Sequence, residues 1–206
     1  MYPKQKEAIF CKERFSIIEA STKSGKTVGC MVWLAEQAIK GGANRNYWWI
    51  APICSQAEIA YRRLKAGLGQ NNYVTNASNL TVTLANGSTI WFKGGDKPDS
   101  LYGEDVFGAV IDEATRCKED VWHAIRSTIT ATQAPVRIIG NVKGRKNWAY
   151  QLARKAEAGV PSWRYSRITA ADAIEGNVLS ESEVQEAKRD LPENVFRELY
   201  MAEPSN

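Results

Sequence analysis

The stretch Phe15-Ser16-Ile17-Ile18-Glu19-Ala20-Ser21-Thr22-Lys23-Ser24-Gly25-Lys26-Thr27 decides how this chain is read. A short β-rich run passes through small and polar residues into Gly-Lys-Thr, and a helical pattern over 26–39 follows. A strand, a loop and a helix in that order form the setting in which a phosphate-binding loop works. Backbone N–H groups of Ser21, Thr22, Lys23, Ser24 and Gly25, with the helix N-terminus, would cradle phosphate oxygens. Lys26 would reach the β and γ phosphates, and the Thr27 hydroxyl would take a place on Mg²⁺. Ala20 stands where this motif usually begins with Gly, a departure because Gly reaches backbone angles that Ala avoids. The competing reading is a surface loop with a chance GKT.

A second stretch, Phe107-Gly108-Ala109-Val110-Ile111-Asp112-Glu113-Ala114, is an apolar strand ending in adjacent carboxylates. Acids at the tip of a buried strand cost desolvation energy, which argues for a cation or a reaction there. The two suit a division of tasks, Asp112 holding Mg²⁺ and Glu113 orienting and deprotonating a water. Against this stands a helix N-terminus that uses Asp112 as its cap. Val136-Arg137-Ile138-Ile139-Gly140-Asn141 is a further strand whose amide, Asn141, is placed to sense a γ-phosphate, or is simply a turn signal. In Tyr2-Pro3-Lys4-Gln5, ahead of the first helix, the Gln5 amide can read an adenine edge or can lie exposed.

Around these stretches the chain alternates. Strands are expected over 15–19, 47–51, 109–112, 136–140 and 165–169, and helices over 26–39, 55–68, 119–130 and 145–158. This is the α/β pattern of a mostly parallel central sheet flanked by helices. Leu80–Leu84 and Thr89–Lys93 flank Ala85-Asn86-Gly87-Ser88, which predicts an added β-hairpin at an antiparallel edge. A turn-rich stretch follows Thr169. Ser180 and Glu183 then have capping-box spacing ahead of a helix to about Asp190, and Pro192 opens a last helix to about Met201.

Composition narrows the class. The chain has 206 residues, and 27 Lys+Arg against 23 Asp+Glu leave a charge of +4, too small to argue for nucleic acid by itself. Four separated cysteines and one histidine, His123, exclude the usual zinc spacings. The charged N-terminus has neither a signal peptide's apolar run nor a membrane span, so a cytoplasmic, non-secreted protein with no membrane partner is expected. Trp48-Trp49 reads as core packing, because neighbours in a strand face opposite sides. Arg62-Arg63-Lys65 and Lys143-Arg145-Lys146 read as solvated basic faces before they read as DNA contacts.

The order of these motifs resembles the ATPase domain of a tailed-bacteriophage terminase large subunit, the DNA-packaging motor. The resemblance rests on Pro3-x-Gln5, the GKT loop, and Trp48-Trp49-Ile50-Ala51-Pro52 with Ser55-Gln56-Ala57. It also rests on Ser100-Leu101-Tyr102-Gly103 before Ile111-Asp112-Glu113-Ala114, on Lys143-Gly144-Arg145 after Asn141, and on the tail 196–203. It implies an α/β P-loop NTPase fold of the ASCE type that hydrolyses Mg-ATP to drive double-stranded DNA into a procapsid. Its implied partners are a small terminase subunit, a portal protein and further copies in a ring, the isolated chain being a monomer and a slow ATPase. The setting is the cytoplasm of an infected bacterium. The implied layout is an ATPase core over 1–175 and a helical appendage over 176–206 leading toward a nuclease domain, so no nuclease activity is expected of this chain. Two positions depart from the family: Lys23 stands where Arg is frequent, and Tyr102 where an arginine finger is frequent. Arg116 or Arg126 would then have to act in trans. A helicase-like remodelling ATPase and a non-catalytic nucleotide-binding module are the alternatives.

Overall fold

The computed structural model describes residues 1–70 and 72–205. In chain order its elements are α1 (Pro3–Ile9), β1 (Phe15–Ala20), α2 (Lys26–Lys40), β2 (Asn46–Ala51), α3 (Cys54–Gly67), β3 (Tyr73–Asn76), β4 (Thr81–Leu84) and β5 (Thr89–Gly94). They continue with β6 (Val106–Ile111), α4 (Glu119–Thr128), β7 (Val136–Gly140), α5 (Trp148–Glu157), β8 (Trp163–Ile168), α6 (Ala170–Glu175), α7 (Glu181–Asp190) and α8 (Glu193–Tyr200). Single 3-10 turns occupy Pro98–Leu101 and Ala114–Arg116. The fold is α/β, its strands mostly parallel, and its residues gather into two compact units, Met1–Cys30 with Arg137–Asn206, and Met31–Val136.

In the first unit the strand order is β7-β1-β8. β1 pairs in parallel with β8 from Phe15 opposite Trp163 to Ala20 opposite Ile168. All six residues of β1 are buried, as expected of a strand covered on both faces. α1 was not expected from its seven largely polar residues, yet Gln5, Ala8 and Ile9 are buried in it. A buried cation anchors it: Arg137, in β7 and 2% exposed, donates to the carbonyls of Ile9 (2.6 Å), Cys11 (3.0 Å), Arg14 (3.1 Å) and Glu13 (3.3 Å). Burial lowers its pKa from the usual value, and the four carbonyls supply the partners a buried guanidinium requires.

The stretch after Thr169 is a helix rather than turns. Thr169 and Asp172 close a capping box at the start of α6, a Thr-x-x-Asp signal present in the sequence. The capping box expected at Ser180 does not form, because the Ser180 hydroxyl bonds the Ser182 hydroxyl at 2.8 Å instead of the backbone. The C-terminal helices close over a small apolar cluster of Ala170, Val184 and Phe196 with Ile174, Leu179, Leu191 and Tyr200.

In the second unit the strand order is β3-β4-β5-β2-β6. The Asn86-Gly87 turn forms as expected: Gly87 has φ +80°, and Asn86 accepts from the Ser88 N–H at 3.0 Å. The hairpin is not wholly an edge, however. β5 pairs in parallel with β2, and only its β4 side is antiparallel, so β4 alone runs against the other strands of this unit. β3, four half-exposed residues at the edge, lacked the apolar alternation that announces a strand. Trp48 and Trp49 are both fully buried, Trp49 beside Phe92 and Trp48 under the Lys93 ammonium at 4.7 Å, which makes both of them packing residues.

Candidate nucleotide-binding site

The phosphate-loop candidate lies in the first unit, after β1. Ala20 is the last residue of that strand and has no positive φ. The left-handed positions are Lys23 (φ +52°) and Gly25 (φ +79°) instead. The missing first Gly therefore costs no backbone strain. Left-handed residues alternating with right-handed ones turn successive N–H groups toward a common hollow, the geometry of an anion nest. At Gly25 the need for Gly is double, since an added Cβ would also lie 2.9 Å from Gln5 Nε2.

Neighbouring elements hold the loop by its outer side. The Ser21 N–H donates to Ile168 O (2.8 Å) and the Thr22 N–H to Leu199 O (2.6 Å). Asn141 Nδ2 donates to Ala20 O at 3.1 Å. From α1, the Tyr2 hydroxyl donates to Ser24 O (2.7 Å) and Gln5 Nε2 to Gly25 O (2.5 Å). Gln5 is thus a buried support of the loop, 5% exposed. α1 approaches so closely that a Cβ on Gly29 would stand 2.5 Å from Ile9 Cδ1.

On the inner side, Lys26 is 6% exposed and its Nζ donates to Ser21 O at 3.2 Å. Thr27 is half-buried in the first turn of α2, and Lys23 is exposed. The Ser21 and Ser24 hydroxyls are fully buried without a hydrogen-bond partner. An unsatisfied buried hydroxyl costs about 1–3 kcal/mol, so two of them in one loop fit a ligand rich in acceptor oxygens.

The carboxylate pair lies in the second unit, just beyond β6. The Asp112 N–H continues the ladder to Ile50 O (2.8 Å), and Asp112 Oδ1 accepts the Glu113 N–H at 3.0 Å. Glu113 is left-handed, with φ +49° and ψ +45°, a conformation that costs a non-glycine residue about 1–3 kcal/mol and that gathers at functional sites. Its side chain is 29% exposed, with Arg116 Nε 3.8 Å from Oε2. Cys117 sits behind the pair, its Sγ 3.7 Å from Asp112 O. Burial first, then the charges of Asp112 and Glu113, push this thiol up to about 12. Tyr102 is half-exposed after its 3-10 turn, and Arg126 reaches Thr130 Oγ1 at 3.4 Å. His123 is an exposed residue of α4 beside Glu119 and Asp120.

One cluster escaped the sequence reading. Glu19, buried directly ahead of the loop, accepts from Tyr165 at 2.7 Å and pairs with Arg154. Burial pushes its carboxyl up against the opposing pull of Tyr165 and Arg154. A lone acid in an apolar strand was the available signal.

A strand, loop and helix of this geometry in an α/β fold define the fold class, a P-loop fold. The family described as "Terminase large subunit, T4likevirus-type, N-terminal" matches residues 17–206. The chain belongs to that family. No curated protein matches it. Among solved structures it is similar to the large terminase ATPase domain of Thermus phage P74-26, with 21% identity, a TM-score of 0.82, and 98% of this chain and 93% of that one covered. It is likewise similar to the bacteriophage HK97 large terminase, with 17% identity, a TM-score of 0.83, and 99% and 50% covered. The large terminase of a thermophilic bacteriophage in complex with ADP gives 18%, 0.79, and 98% and 53%. The chain thus spans nearly all of an ATPase-domain structure and about half of the two longer terminases. Identities this low speak for the shared fold.

Proposed function

We propose that this domain binds Mg-ATP at the loop 21–27 and hydrolyses it to power translocation of double-stranded DNA into a procapsid. In this reading Lys23, Ser24, Gly25, Lys26 and Thr27 take the phosphates by backbone N–H groups and side chains, while Ser21 and Thr22, whose N–H groups are bonded to Ile168 O and Leu199 O, contribute by their hydroxyls. Gln5, its amide bonded to Gly25 O, supports the loop instead of reading an adenine edge, and Glu113 activates the attacking water. Asn141, joined to Ala20 O, relays the state of the γ-phosphate. Lys26 serves both binding and catalysis by neutralising charge that builds on the phosphates.

Thr27 and Asp112 would hold Mg²⁺. Among the described residues no three His, Cys, Asp or Glu side chains group as a metal site. Mg²⁺ takes one or two protein ligands and completes its shell with phosphate oxygens and water, so one hydroxyl and one carboxylate would suffice. Bound there, it would neutralise and orient the β and γ phosphates. These roles are supported by the order of the motifs along the chain and by family membership.

The partners follow from the same membership: DNA, a portal protein, a small terminase subunit and further copies in a ring, within an infected bacterium. No helix among the described residues is long and apolar enough to cross a membrane. Residues 1–175 are taken as the ATPase core and 176–206 as a helical appendage toward a nuclease domain, a division that rests on the resemblance, since the apolar cluster of α7 and α8 also takes in Ala170 and Ile174 of α6. No nuclease activity is assigned to this chain. With Tyr102 in the finger position, Arg116 or Arg126 is the trans-acting candidate, and the isolated monomer should turn over slowly, since such a finger contributes about 10³ to 10⁵ in rate.

The observation that carries the reading is the loop itself, with positive φ at Lys23 and Gly25, a buried Lys26, and buried Ser21 and Ser24 hydroxyls that lack partners. Calorimetric titration with Mg-ATP tests it. Wild type should bind and Lys26→Ala should lose measurable affinity; equal binding by the two proteins would remove the loop from the site.

A further inference from the structure

The loop's amides are aimed by groups on its outer side, and one of these, Tyr2, has no role assigned above. In a planar trans peptide the carbonyl and the following N–H point in opposite directions. A donor that fixes the Ser24 carbonyl therefore fixes the Gly25 N–H, and a donor on the Gly25 carbonyl fixes the Lys26 N–H. Gln5 Nε2 does the second at 2.5 Å, and the Tyr2 hydroxyl does the first at 2.7 Å.

Tyr2 is 8% exposed and set in place by α6. At Gly176, the C-cap of α6, an added Cβ would stand 2.5 Å from Tyr2 Cγ and 2.7 Å from Cδ1, so the Tyr2 side chain packs directly on a bare backbone. Two residues on, Lys4 Nζ pairs with Asp172 at 2.8 Å, and Asp172 also caps the start of α6 by accepting from the Thr169 N–H at 2.8 Å. Burial, then the Asp172 charge, push the Tyr2 hydroxyl up to about 12, which keeps it a donor at neutral pH.

We propose that Tyr2 is a positioning residue for the phosphate loop: seated on Gly176 of α6, it pins the Ser24 carbonyl outward and so holds the Gly25 N–H toward the phosphates. Triphosphate affinity then depends on the seating of α6, the first of the C-terminal helices. The inference rests on the nucleotide reading of the loop.

Tyr2→Phe tests it by deleting the donor and keeping the ring. The amide meets phosphate in the ground state and transition state alike, so the loss should appear as uniform binding. KM for ATP and the Kd values for ATP and ADP should rise about tenfold, with kcat within about twofold of wild type. In the nucleotide-free protein, the Gly25 amide resonance should move while amides of β4 stay in place. Gly176→Ala keeps the hydroxyl but displaces the ring, and should shift the same affinities and the same resonance. Unchanged affinity in Tyr2→Phe, or an unmoved Gly25 amide in both variants, would overturn the proposal. A wild type that binds no ATP would instead remove the nucleotide reading, and the amide resonance would still decide whether Tyr2 orients the loop.

Discussion

The phosphate loop and the carboxylate turn are both strand ends bent through a left-handed non-glycine residue, Lys23 in one and Glu113 in the other. Their support differs. The loop accepts hydrogen bonds from Tyr2 and Gln5 at α1 and from Asn141 just after β7, and donates its outer N–H groups to carbonyls of β8 and α8. The turn relies on its own ladder bond to Ile50 and on bonds made within itself, Glu113 N–H to Asp112 and Arg116 N–H to Glu113 O at 2.9 Å. A site that presents backbone amides must have its peptide planes fixed from outside. A site that presents side chains can leave them to rotamers and place the strain in the backbone beneath them.

The largest expected effect separates the two regions by function. Glu113→Gln should lower kcat about 10²- to 10⁴-fold and leave ATP affinity near wild type, as measured by single-turnover hydrolysis alongside calorimetry. Near-normal turnover would remove Glu113 from its role and leave the turn as a structural feature.

Next comes the loop's outer support. Arg137→Met strips the partner from one buried and three part-buried carbonyls and loosens α1, which carries Gln5 and is capped by Tyr2. It should cost about 1–3 kcal/mol of stability, read from urea denaturation. A loss below about 1 kcal/mol would mean that water replaces the guanidinium and that α1 is not anchored this way.

Glu113→Gly sharpens the comparison from the other side. Gly accepts φ +49° without strain, so stability should rise by about 1 kcal/mol, or about 2–4 °C in Tm, while hydrolysis is lost. A fall in Tm would show that contacts of the Glu113 side chain outweigh the backbone strain.

The smallest effect concerns Cys117 behind the carboxylates. Its folded pKa is raised from 9.0 to about 12, so between those values the native state keeps a proton that the unfolded state has released. Stability should therefore decline as pH climbs through that window. At pH 8.5 iodoacetamide should modify exposed Cys54 and spare Cys117. Mass spectrometry showing equal labelling would mean that the turn opens.

Much of this was legible residue by residue. β7 spans 136–140 as expected, β1 differs from its expected span by one residue, and the Asn86-Gly87 turn lies where its dipeptide placed it. What could not be read has a common cause. α1 and α6 span only seven and six residues, too few to show a helical period, and β3 sits at an edge without an apolar face. The Ser180 capping box had the right spacing, but a competing hydroxyl at Ser182 took the bond.

The chain alone determined the strand–loop–helix at 15–27 and the acidic strand end at 112–113, because those rest on local order and hydrophobic period. Only the tertiary structure decided that Ala20 needs no glycine, that Arg137 and Glu19 are buried ions, and that Tyr2 from the first helix aims an amide of the loop. The first depends on where the backbone turns left-handed, at Lys23 and Gly25; the others depend on which carbonyl or carboxylate lies within about 3 Å of a side chain more than twenty residues away, and spacing along a chain carries no record of that distance.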